Sequence, residues 1–459
     1  MNNISKGVKD ILTWRDERQA DCALTCTPIP LSRMNRWNFI DGRIVHDTGR
    51  FFSVIGVHDT TGNRNLHQAE QPLLDQPEIG ILGFLLRRTN GSAQLLVQAK
   101  AEPGNIGDVQ FSPTVQATHS NYMRFHGGAP TRYLNYFTQT GQAATVSDTL
   151  QSVQGTRFLG KYNRNVTLQV DGQGPDAVHD SWRWQDLDTL LQLLSVDYSV
   201  NTDARSVLTS TSWEASCLDR QPFEGWRGKG GFGEDLYRSY TSKADQTELS
   251  IELILQVLDS SRKKNRFQLV LKPIHDVAGW KQDGDSIEDV AGSNFDIRGY
   301  RITVRNREVG AWDQPLSGSY GEGLVILLCQ RRRGTLHFLF QGSIEIGFRE
   351  YVQFGPSIQH DGSPSALSAQ RACDPLLDLA LSESDTVEHL SCTQSDEGGR
   401  FYQNIANYRI VEVAEDIEVP VQGNTACWMT LGQIATLLRT AGVFTNEARS
   451  VLSLLLGYL

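Results

Sequence analysis

The chain of 459 residues has no long apolar run. Its longest apolar stretches, such as residues 324–329, are far shorter than the roughly 20 residues that a membrane-spanning helix requires. The opening residues, Met-Asn-Asn-Ile-Ser-Lys, contain no apolar signal-peptide core, and charged side chains follow closely. We therefore expect a cytoplasmic protein that does not contact a membrane.

A cysteine framework and an excess of basic charge are also missing. The seven cysteines are odd in number and scattered, which indicates neither a disulfide scaffold nor a zinc site. The formal net charge is −10, and a general nucleic-acid binder needs a basic face to neutralise phosphates. We expect no nucleic-acid partner, although a local basic pocket remains compatible with this composition.

No dinucleotide-binding turn is present. The nearest glycine-rich stretch, residues 228–233, has the wrong spacing for Gly-x-Gly-x-x-Gly and follows no predicted strand. Hydride transfer from a nicotinamide cofactor is therefore not indicated.

What the chain does contain is a duplication. Residues 11–116 align with residues 254–359 without a gap at a constant offset of 243, and residues 184–208 match residues 428–452 at an offset of 244. This period is far longer than the roughly 20–50 residues of solenoid repeats, so it predicts two duplicated domains. We place the first repeat at residues 1–215, a connecting segment at 216–245 and the second repeat at 246–459.

Each repeat is predicted to be centred on a sheet. Short apolar runs separated by turn residues indicate strands, and they occur at residues 81–86, 94–97 and 109–111 and again at 324–329, 336–340 and 352–354. Apolar residues at helical spacing predict flanking helices at residues 186–194 and from Leu431 to Leu438. The expected fold class is α+β with a mixed sheet, occurring twice, and not a doubly wound parallel sheet.

A further helix is predicted at about residues 247–261. Its apolar stripe would consist of Leu249, Leu253, Ile254 and Val257. The glycine-rich and tryptophan-rich stretch 210–233 before it is predicted to connect the two repeats.

Polar residues become too dense for a plain strand in the segments 98–105 and 109–128. These segments, the run Glu-Gly-Gly-Arg-Phe at 397–401 and the paired closures Ala-Arg-Ser-Val-Leu at 204–208 and 448–452 resemble the nucleotide-sugar 2,3-dehydratases of deoxysugar biosynthesis. The resemblance covers nearly the whole chain. It implies a homodimer in which each repeat is similar to a Nudix hydrolase domain, with no metal or redox cofactor.

The same resemblance implies a dTDP-4-keto-6-deoxyhexose substrate and a functionally coupled NADPH-dependent 3-ketoreductase, which would trap an unstable product. The closely spaced Arg-Glu and Glu-Glu cluster with which Nudix enzymes hold magnesium is missing from both repeats. Diphosphate hydrolysis is therefore not supported, whatever the fold.

The implied reaction has definite chemical needs. A 4-keto group acidifies the C3 proton; its removal gives an enolate, which expels the C2 hydroxyl as water. The resulting enol relaxes to a 3,4-diketo-2,6-dideoxyhexose. The site must supply a base for the C3 proton, a donor for the C4 oxyanion and an acid for the departing hydroxyl.

Differences between the repeats favour the first one as the catalytic repeat. Lys100 and Asn105 face Ser343 and Phe348 in the second repeat, and residues 119–128 have no recognisable counterpart there. We therefore expect the second site to be degenerate, either as a scaffold or as a remnant nucleotide pocket.

Four residues are candidates for the chemistry. His126 is the leading acid or base, because imidazole titrates near neutral pH; its alternative is a loop histidine that caps a turn. Tyr122 would stabilise the oxyanion or donate to the leaving hydroxyl, unless it is a core residue. Lys100 suits the C4 oxygen or the diphosphate better than the role of base. Glu102 recurs as Glu345, which leaves both a catalytic role and a structural role at the turn open.

Candidates for substrate binding are amides, arginines and small residues. Guanidinium groups match phosphate oxygens, and Arg205 and Arg449 recur at the start of a predicted helix, which fits either paired phosphate sites or a repeated internal salt bridge to Asp203 and Glu447. The full set is Gln98, Asn105, Gln116, Ser120, Asn121, Arg124, Gly127, Gly128, Arg132, Arg205 and Arg449.

Two other functions remain open at this stage. A noncatalytic nucleotide-sugar-binding scaffold would need the arginine and aromatic contacts only. A ketoisomerase or epimerase on the same class of substrate shares deprotonation beside a ketone but loses no water.

Overall fold

The computed structural model describes residues 5–89, 91–118, 130–139, 141–172, 174–175, 178–217, 220–305, 309–421, 423 and 425–459. Twelve strands come from the first repeat: Thr25–Ile29 (β1), Trp37–Ile40 (β2), Arg43–His46 (β3), Ser53–Asp59 (β4), Glu70–Asp75 (β5), Gly80–Thr89 (β6), Ser92–Ala101 (β7), Val109–Ser112 (β8), Val115–Ala117 (β9), Ala144–Ser152 (β10), Tyr162–Gln169 (β11) and Trp182–Asp186 (β12).

Twelve strands also come from the second repeat: Leu269–Lys272 (β13), Trp280–Gln282 (β14), Ser286–Asp289 (β15), Phe295–Thr303 (β16), Ala311–Ser319 (β17), Gly323–Arg332 (β18), Thr335–Ile344 (β19), Val352–Gly355 (β20), Ile358–His360 (β21), Thr386–Ser395 (β22), Ile405–Val413 (β23) and Cys427–Met429 (β24).

The α-helices among the described residues are Lys6–Cys22, Asn135–Thr138, Leu187–Leu193, Thr202–Ser210, Trp213–Ser216, Gly231–Tyr240, Ile251–Lys264, Pro364–Arg371, Pro375–Ala380, Leu431–Leu437 and Asn446–Ser453. Short 3₁₀ turns occur at Leu31–Arg33, Glu224–Trp226, Ala244–Gln246, Ile274–Asp276 and Leu454–Tyr458.

Each repeat builds a seven-stranded sheet of the same topology. The first has the order β10-β11-β6-β7-β12, with β8 and β9 added to β7 and β6; the second has the equivalent order β22-β23-β18-β19-β24, with β20 and β21 added. One neighbouring pair in each sheet is parallel, β6 with β11 and β18 with β23, and the other pairs are antiparallel. The predicted α+β class with mixed sheets, duplicated along the chain, is confirmed.

The repeats exchange strands in two smaller sheets. Strand β1 of the first repeat pairs with β16 of the second, and β13 of the second repeat pairs with β4 of the first. Since sequence periodicity carries no information about which distant strand is the partner, this exchange was not predictable from the duplication. As a consequence of this strand exchange, residues of both repeats line the same spaces inside the molecule.

Two equivalent helices, Thr202–Ser210 and Asn446–Ser453, pack against each other at the centre of the molecule. Asn201 and Thr445 cap them through hydrogen bonds to the third following amide. Both helices belong to one buried apolar cluster, which contains Val207 and Val451 together with residues of both large sheets. This shared core fixes the two repeats relative to each other.

The helix predicted at 247–261 begins later than expected. Ser250 caps it, so it spans Ile251–Lys264 and Leu249 lies outside it. Its buried residues are Ile254, Leu258 and Ser261, whereas Leu253 is exposed. The predicted stripe was therefore wrong in part, because the start of the helix was assigned from the apolar residues and not from the capping serine.

No helix among the described residues is both long and apolar enough to cross a membrane.

Candidate active site

A cavity of about 840 Å³ lies where the first large sheet meets the second repeat. Lys100, Glu102 and Gln116 line it from the first repeat, and Glu397 and Arg400 line it from the second. Cavities of this size suit a ligand as large as a nucleotide sugar. The cavity is therefore formed jointly by both copies of the duplicated unit.

The turn at Glu102–Asn105 packs directly against the second repeat. The Gly104 amide donates to the Gly398 carbonyl at 2.8 Å, and the Gln403 amide donates to the Gly104 carbonyl at 2.8 Å. A Cβ atom on Gly104 would overlap the Phe401 carbonyl oxygen. Glycine is required here because two backbones approach each other without room for a side chain.

This turn places Glu102 in a buried polar cluster. Its side chain accepts a hydrogen bond from Gln116 Nε2 at 2.9 Å, and Lys100 Nζ lies 3.4 Å from Glu102 Oε1. Asn201, the cap of the central helix, lies with its Nδ2 3.4 Å from the other carboxylate oxygen. A buried carboxylate needs such partners to offset its lost hydration.

A second set of charges lines the same cavity: Lys161, Asp203, Glu397 and Arg400. Burial lowers the pKa of Lys161 to about 8, against the opposing effect of Glu397 and other nearby acids. Burial raises the pKa of Glu397, and burial together with Glu397 and Glu102 raises the pKa of Asp203 well above its usual range. Groups with such shifts in a cavity are suited to proton transfer near neutral pH.

Arg400 is held against an aromatic ring of the first repeat. Its guanidinium carbon lies 4.3 Å from the centre of the Phe52 ring, and Nη1 donates to the Gly399 carbonyl at 2.7 Å. Burial lowers the pKa of this guanidinium, while Glu397 opposes that effect. The aromatic contact fixes a cation at the wall of the cavity.

The predicted site residues fall into four groups, the last of which is the pair Arg205 and Arg449. Lys100, Glu102, Gln98, Gln116 and Arg132 line the cavity. Asn105 is buried in the turn, and its side-chain amide has no hydrogen-bond partner among the described residues. The third group lies outside the described residues: Ser120, Asn121, Tyr122, Arg124, His126, Gly127 and Gly128.

Arg205 and Arg449 are fully buried and do not line the cavity. Arg205 donates to the carbonyls of Val200 and Ser395. Arg449 donates to the carbonyls of Phe444 and Ser152. Of the two roles left open for this pair, these contacts correspond to the structural one. The partners, however, are backbone carbonyls and, for Arg449, also the Ser206 hydroxyl, and not the carboxylates of Asp203 or Glu447.

Charged residues of the cavity that sequence reasoning did not select include Lys161, Asp203, Glu397 and Arg400. Two signals were available. Arg400 has an equivalent, Arg157, whose guanidinium carbon lies 4.0 Å from the Phe295 ring centre at the pseudo-equivalent position. Lys161 stands where the second repeat has Asn404, a difference of the same kind as Lys100 against Ser343.

The duplicated fold encloses a charged cavity that is shared between its halves and is lined by buried acids and a buried lysine with shifted pKa values. A family model described as NDP-hexose 2,3-dehydratase matches residues 8–211 and 252–455. The chain belongs to the NDP-hexose 2,3-dehydratase family.

Three relatives are each named dTDP-4-dehydro-6-deoxy-alpha-D-glucopyranose 2,3-dehydratase. The protein from Saccharopolyspora spinosa is 32% identical over 96% of this chain and 89% of its own length. The one from Streptomyces violaceoruber is 33% identical over 96% and 95%, and the one from Amycolatopsis orientalis 30% identical over 98% and 91%.

Among solved structures, the Ap4A hydrolase of C. elegans matches with a TM-score of 0.19 and 10% identity, over 26% of this chain and 85% of that one. A similarity this low carries no argument about the fold.

Proposed function

We propose that this protein removes the C3 proton and the C2 hydroxyl of dTDP-4-keto-6-deoxy-D-glucose, giving a 3,4-diketo-2,6-dideoxyhexose for deoxysugar biosynthesis. It is then a carbon–oxygen lyase of the hydro-lyase class. Family membership and three relatives that bear this activity in their names support the proposal. The observation that carries it within the molecule is the buried Lys100–Glu102 pair in a cavity of about 840 Å³.

Lys100 and Glu102 have distinct roles in this proposal. Lys100 Nζ donates to the C4 oxygen, because an ammonium group stabilises the negative charge that develops there when C3 loses its proton. Glu102 and its hydrogen-bond partner Gln116 hold Lys100 in position. An oxyanion donor in a site shielded from water is worth roughly 10²–10³ in rate.

His126 takes the C3 proton in this scheme, and Tyr122 assists at the sugar oxygens. Ser120, Asn121, Arg124, Gly127 and Gly128 bind the substrate together with Gln98, Asn105 and Arg132. These assignments follow from residue chemistry and from the family resemblance, since most of these residues lie outside the described part of the chain.

The remaining expectations belong to the same proposal. Each repeat is a Nudix-like domain, with the first at residues 1–215 and the second at 246–459, joined by 216–245. The protein works as a homodimer in the cytoplasm, and an NADPH-dependent 3-ketoreductase consumes its product.

The test is mass spectrometry of dTDP-4-keto-6-deoxyglucose incubated with the protein, a 3-ketoreductase and NADPH, in deuterium oxide and in ordinary water. We expect a trapped product that has lost the C2 oxygen and carries solvent deuterium at C2. A product that keeps its C2 oxygen but gains deuterium identifies an isomerase or epimerase instead. Unchanged sugar that still binds the protein identifies a binding scaffold.

His126→Ala, assayed in parallel, tests the assigned base. We expect loss of the dehydrated product with substrate binding retained, because the histidine acts on the proton and not on the nucleotide. A variant with unchanged turnover would remove His126 from the mechanism while leaving the reaction itself intact.

A further inference from the structure

The two pseudo-equivalent sites share their framework but only some of their charges. The site next to Glu102 contains Lys161 and Glu397, whereas the equivalent positions next to Glu345 are Asn404 and Gln154. Glu102 and Arg400 have charged counterparts in Glu345 and Arg157, and therefore do not distinguish the sites. Lys161 and Glu397 are thus charged residues that the first site has and the second lacks.

We propose that Lys161 is a further proton-transfer residue of this site, and that the second repeat completes the site by facing it with Glu397. The inference rests on the proposed 2,3-dehydration and assigns residues to its elimination step. It also gives the second repeat a direct part in the first site.

The position of Lys161 fits contact with a ligand. The side chain lines the cavity yet is only 6% exposed, and its Nζ donates to the Glu78 carbonyl. An ammonium group has three N–H donors, so one bond to a carbonyl fixes Lys161 and leaves donors for a sugar oxygen. Asn404, in contrast, is engaged by Asp396 and Ser319.

Charged groups near Lys161 include Glu397 and Arg400 from the second repeat and Asp203 from the first, which line the cavity, and also Glu78. Burial is the largest influence and lowers the lysine pKa to about 8; Arg400 lowers it too, and the three acids raise it. A lysine that loses its proton near pH 8 is a far better acid than an exposed one. This titration supports the assignment, which stands on the position of the side chain.

Glu397 lies in the segment of the second repeat against which the Glu102 turn packs. Its neighbour Gly398 accepts the Gly104 amide, and Gly399 is held by Gln314 Nε2, which donates to its carbonyl at 2.9 Å. A Cβ atom on Gly399 would lie 3.4 Å from Glu102 Oε1. The same backbone therefore positions Glu397, Arg400 and Glu102 together.

The elimination step balances with Lys161 as the acid. The base takes the C3 proton, and the C3–H electron pair forms the enolate. As the C4 carbonyl re-forms, the C2–C3 double bond forms and the C2–O bond breaks, with the departing oxygen taking a proton from Lys161 to leave as water. When the enol relaxes to the ketone, C2 takes a proton from solvent, the base releases the C3 proton to solvent, and the C3 hydroxyl proton returns to Lys161.

Lys161→Asn and Glu397→Gln test this assignment, because each installs the residue found at the equivalent position of the second site, Asn404 or Gln154. We expect kcat of Lys161→Asn to fall by roughly 10²–10⁴-fold with KM changed much less. Glu345→Gln, which neutralises a buried acid of the second site, is the matched control and should keep wild-type kcat. Thermal melting of all three establishes that they fold.

Two readouts separate proton transfer from a structural role. Glu397→Gln removes an acid that raises the lysine pKa, so the alkaline limb of the kcat/KM profile should move to lower pH. Lys161→Ala should regain activity with added small primary amines in proportion to their acidity, whereas a merely structural lysine would not respond.

The outcomes are distinguishable from those of the proposed function. If the wild-type protein forms no dehydrated product, the proposed function and this inference both fall. If the wild type dehydrates and folded Lys161→Asn keeps its kcat, only the inference falls. If Glu397→Gln is active and the alkaline limb of its kcat/KM profile does not move, Glu397 has no part in the inferred proton transfer.

Discussion

The turn at Glu102–Asn105 and the turn at Glu345–Phe348 are the same structure built twice, each seated on the opposite repeat. Gly104 donates to the Gly398 carbonyl at 2.8 Å, and Gly347 donates to the Gly155 carbonyl at 2.9 Å. Phe158 and Phe401 follow the two segments against which the turns pack, and their ring centres lie 5.7 Å apart. The backbone framework has stayed symmetric since the duplication.

The side chains around the two turns have diverged. Lys100 and Asn105 in the first become Ser343 and Phe348 in the second. Phe348 is buried at Gly155, where a Cβ atom would overlap its ring. The comparison teaches that contacts between backbones tie the repeats together, whereas the charges of Lys100, Lys161 and Glu397 belong to one site only.

Among changes at the two turns, the largest expected effect is that of Lys100→Ser, which gives the first site the residue of the second. We expect kcat/KM to fall by roughly 10²–10³-fold, because the enolate oxygen loses its cation. Steady-state kinetics with the ketoreductase-coupled assay measures this. Ser343→Ala, the control at the equivalent position, should leave the rate unchanged; equal losses in both variants would mean that both sites work.

Arg449→Met should lower stability without weakening substrate binding. Its guanidinium satisfies the buried carbonyls of Phe444 and Ser152, and each buried acceptor left without a donor costs about 1–3 kcal/mol. Urea unfolding should show the loss, while KM stays at the wild-type value. A large rise in KM in the folded variant would restore the phosphate-binding role for this arginine.

Gly104→Ala and Gly347→Ala probe the symmetric framework. In each variant the new methyl group meets a carbonyl oxygen of the opposite repeat, that of Phe401 or Phe158. Overpacking of this kind costs typically 1–3 kcal/mol, so both melting temperatures should fall. Only Gly104→Ala should also reduce kcat, since it alone displaces Glu102. Calorimetry and kinetics on the same preparations check both points.

The smallest effect concerns pH. Burial and Asp361 raise the pKa of Glu345 from its usual value of 4.5 to about 7, against hydrogen bonds that lower it. A folded-state pKa above the unfolded one contributes stability that is complete below about pH 4.5 and is lost as pH rises through about 7.

Glu345→Gln should therefore flatten the decline in stability between these pH values. Urea unfolding at several pH values measures the slope for the variant and the wild type. An unchanged slope would mean that Glu345 titrates normally in the folded protein.

Much of the fold could be predicted from local pattern. The strands at 81–86 and 324–329 were recognised because buried strands read as continuous apolar runs, and the helix at 431–437 followed from its leucine spacing. The helix at 251–264 was placed too early because apolar residues outside it were counted with it.

The candidate site was predictable only in part. Lys100 and Glu102 stood out because they lie in one dense polar segment next to the turn. Lys161 and Glu397 did not stand out, since they are 236 positions apart in the chain (397 − 161). Only the packing of one repeat against the other brings them to one cavity.

The sequence by itself determined that the protein is a duplicated α+β chain. It also determined where the main strands lie and which repeat keeps the polar segment. Strand pattern and internal identity are local properties, so both can be read directly from the amino-acid sequence. The tertiary structure alone decided that β1 and β13 cross to the opposite repeat and that a segment of the second repeat closes the site of the first. Such pairing depends on burial and backbone hydrogen bonds between distant segments, which no periodicity in the sequence records.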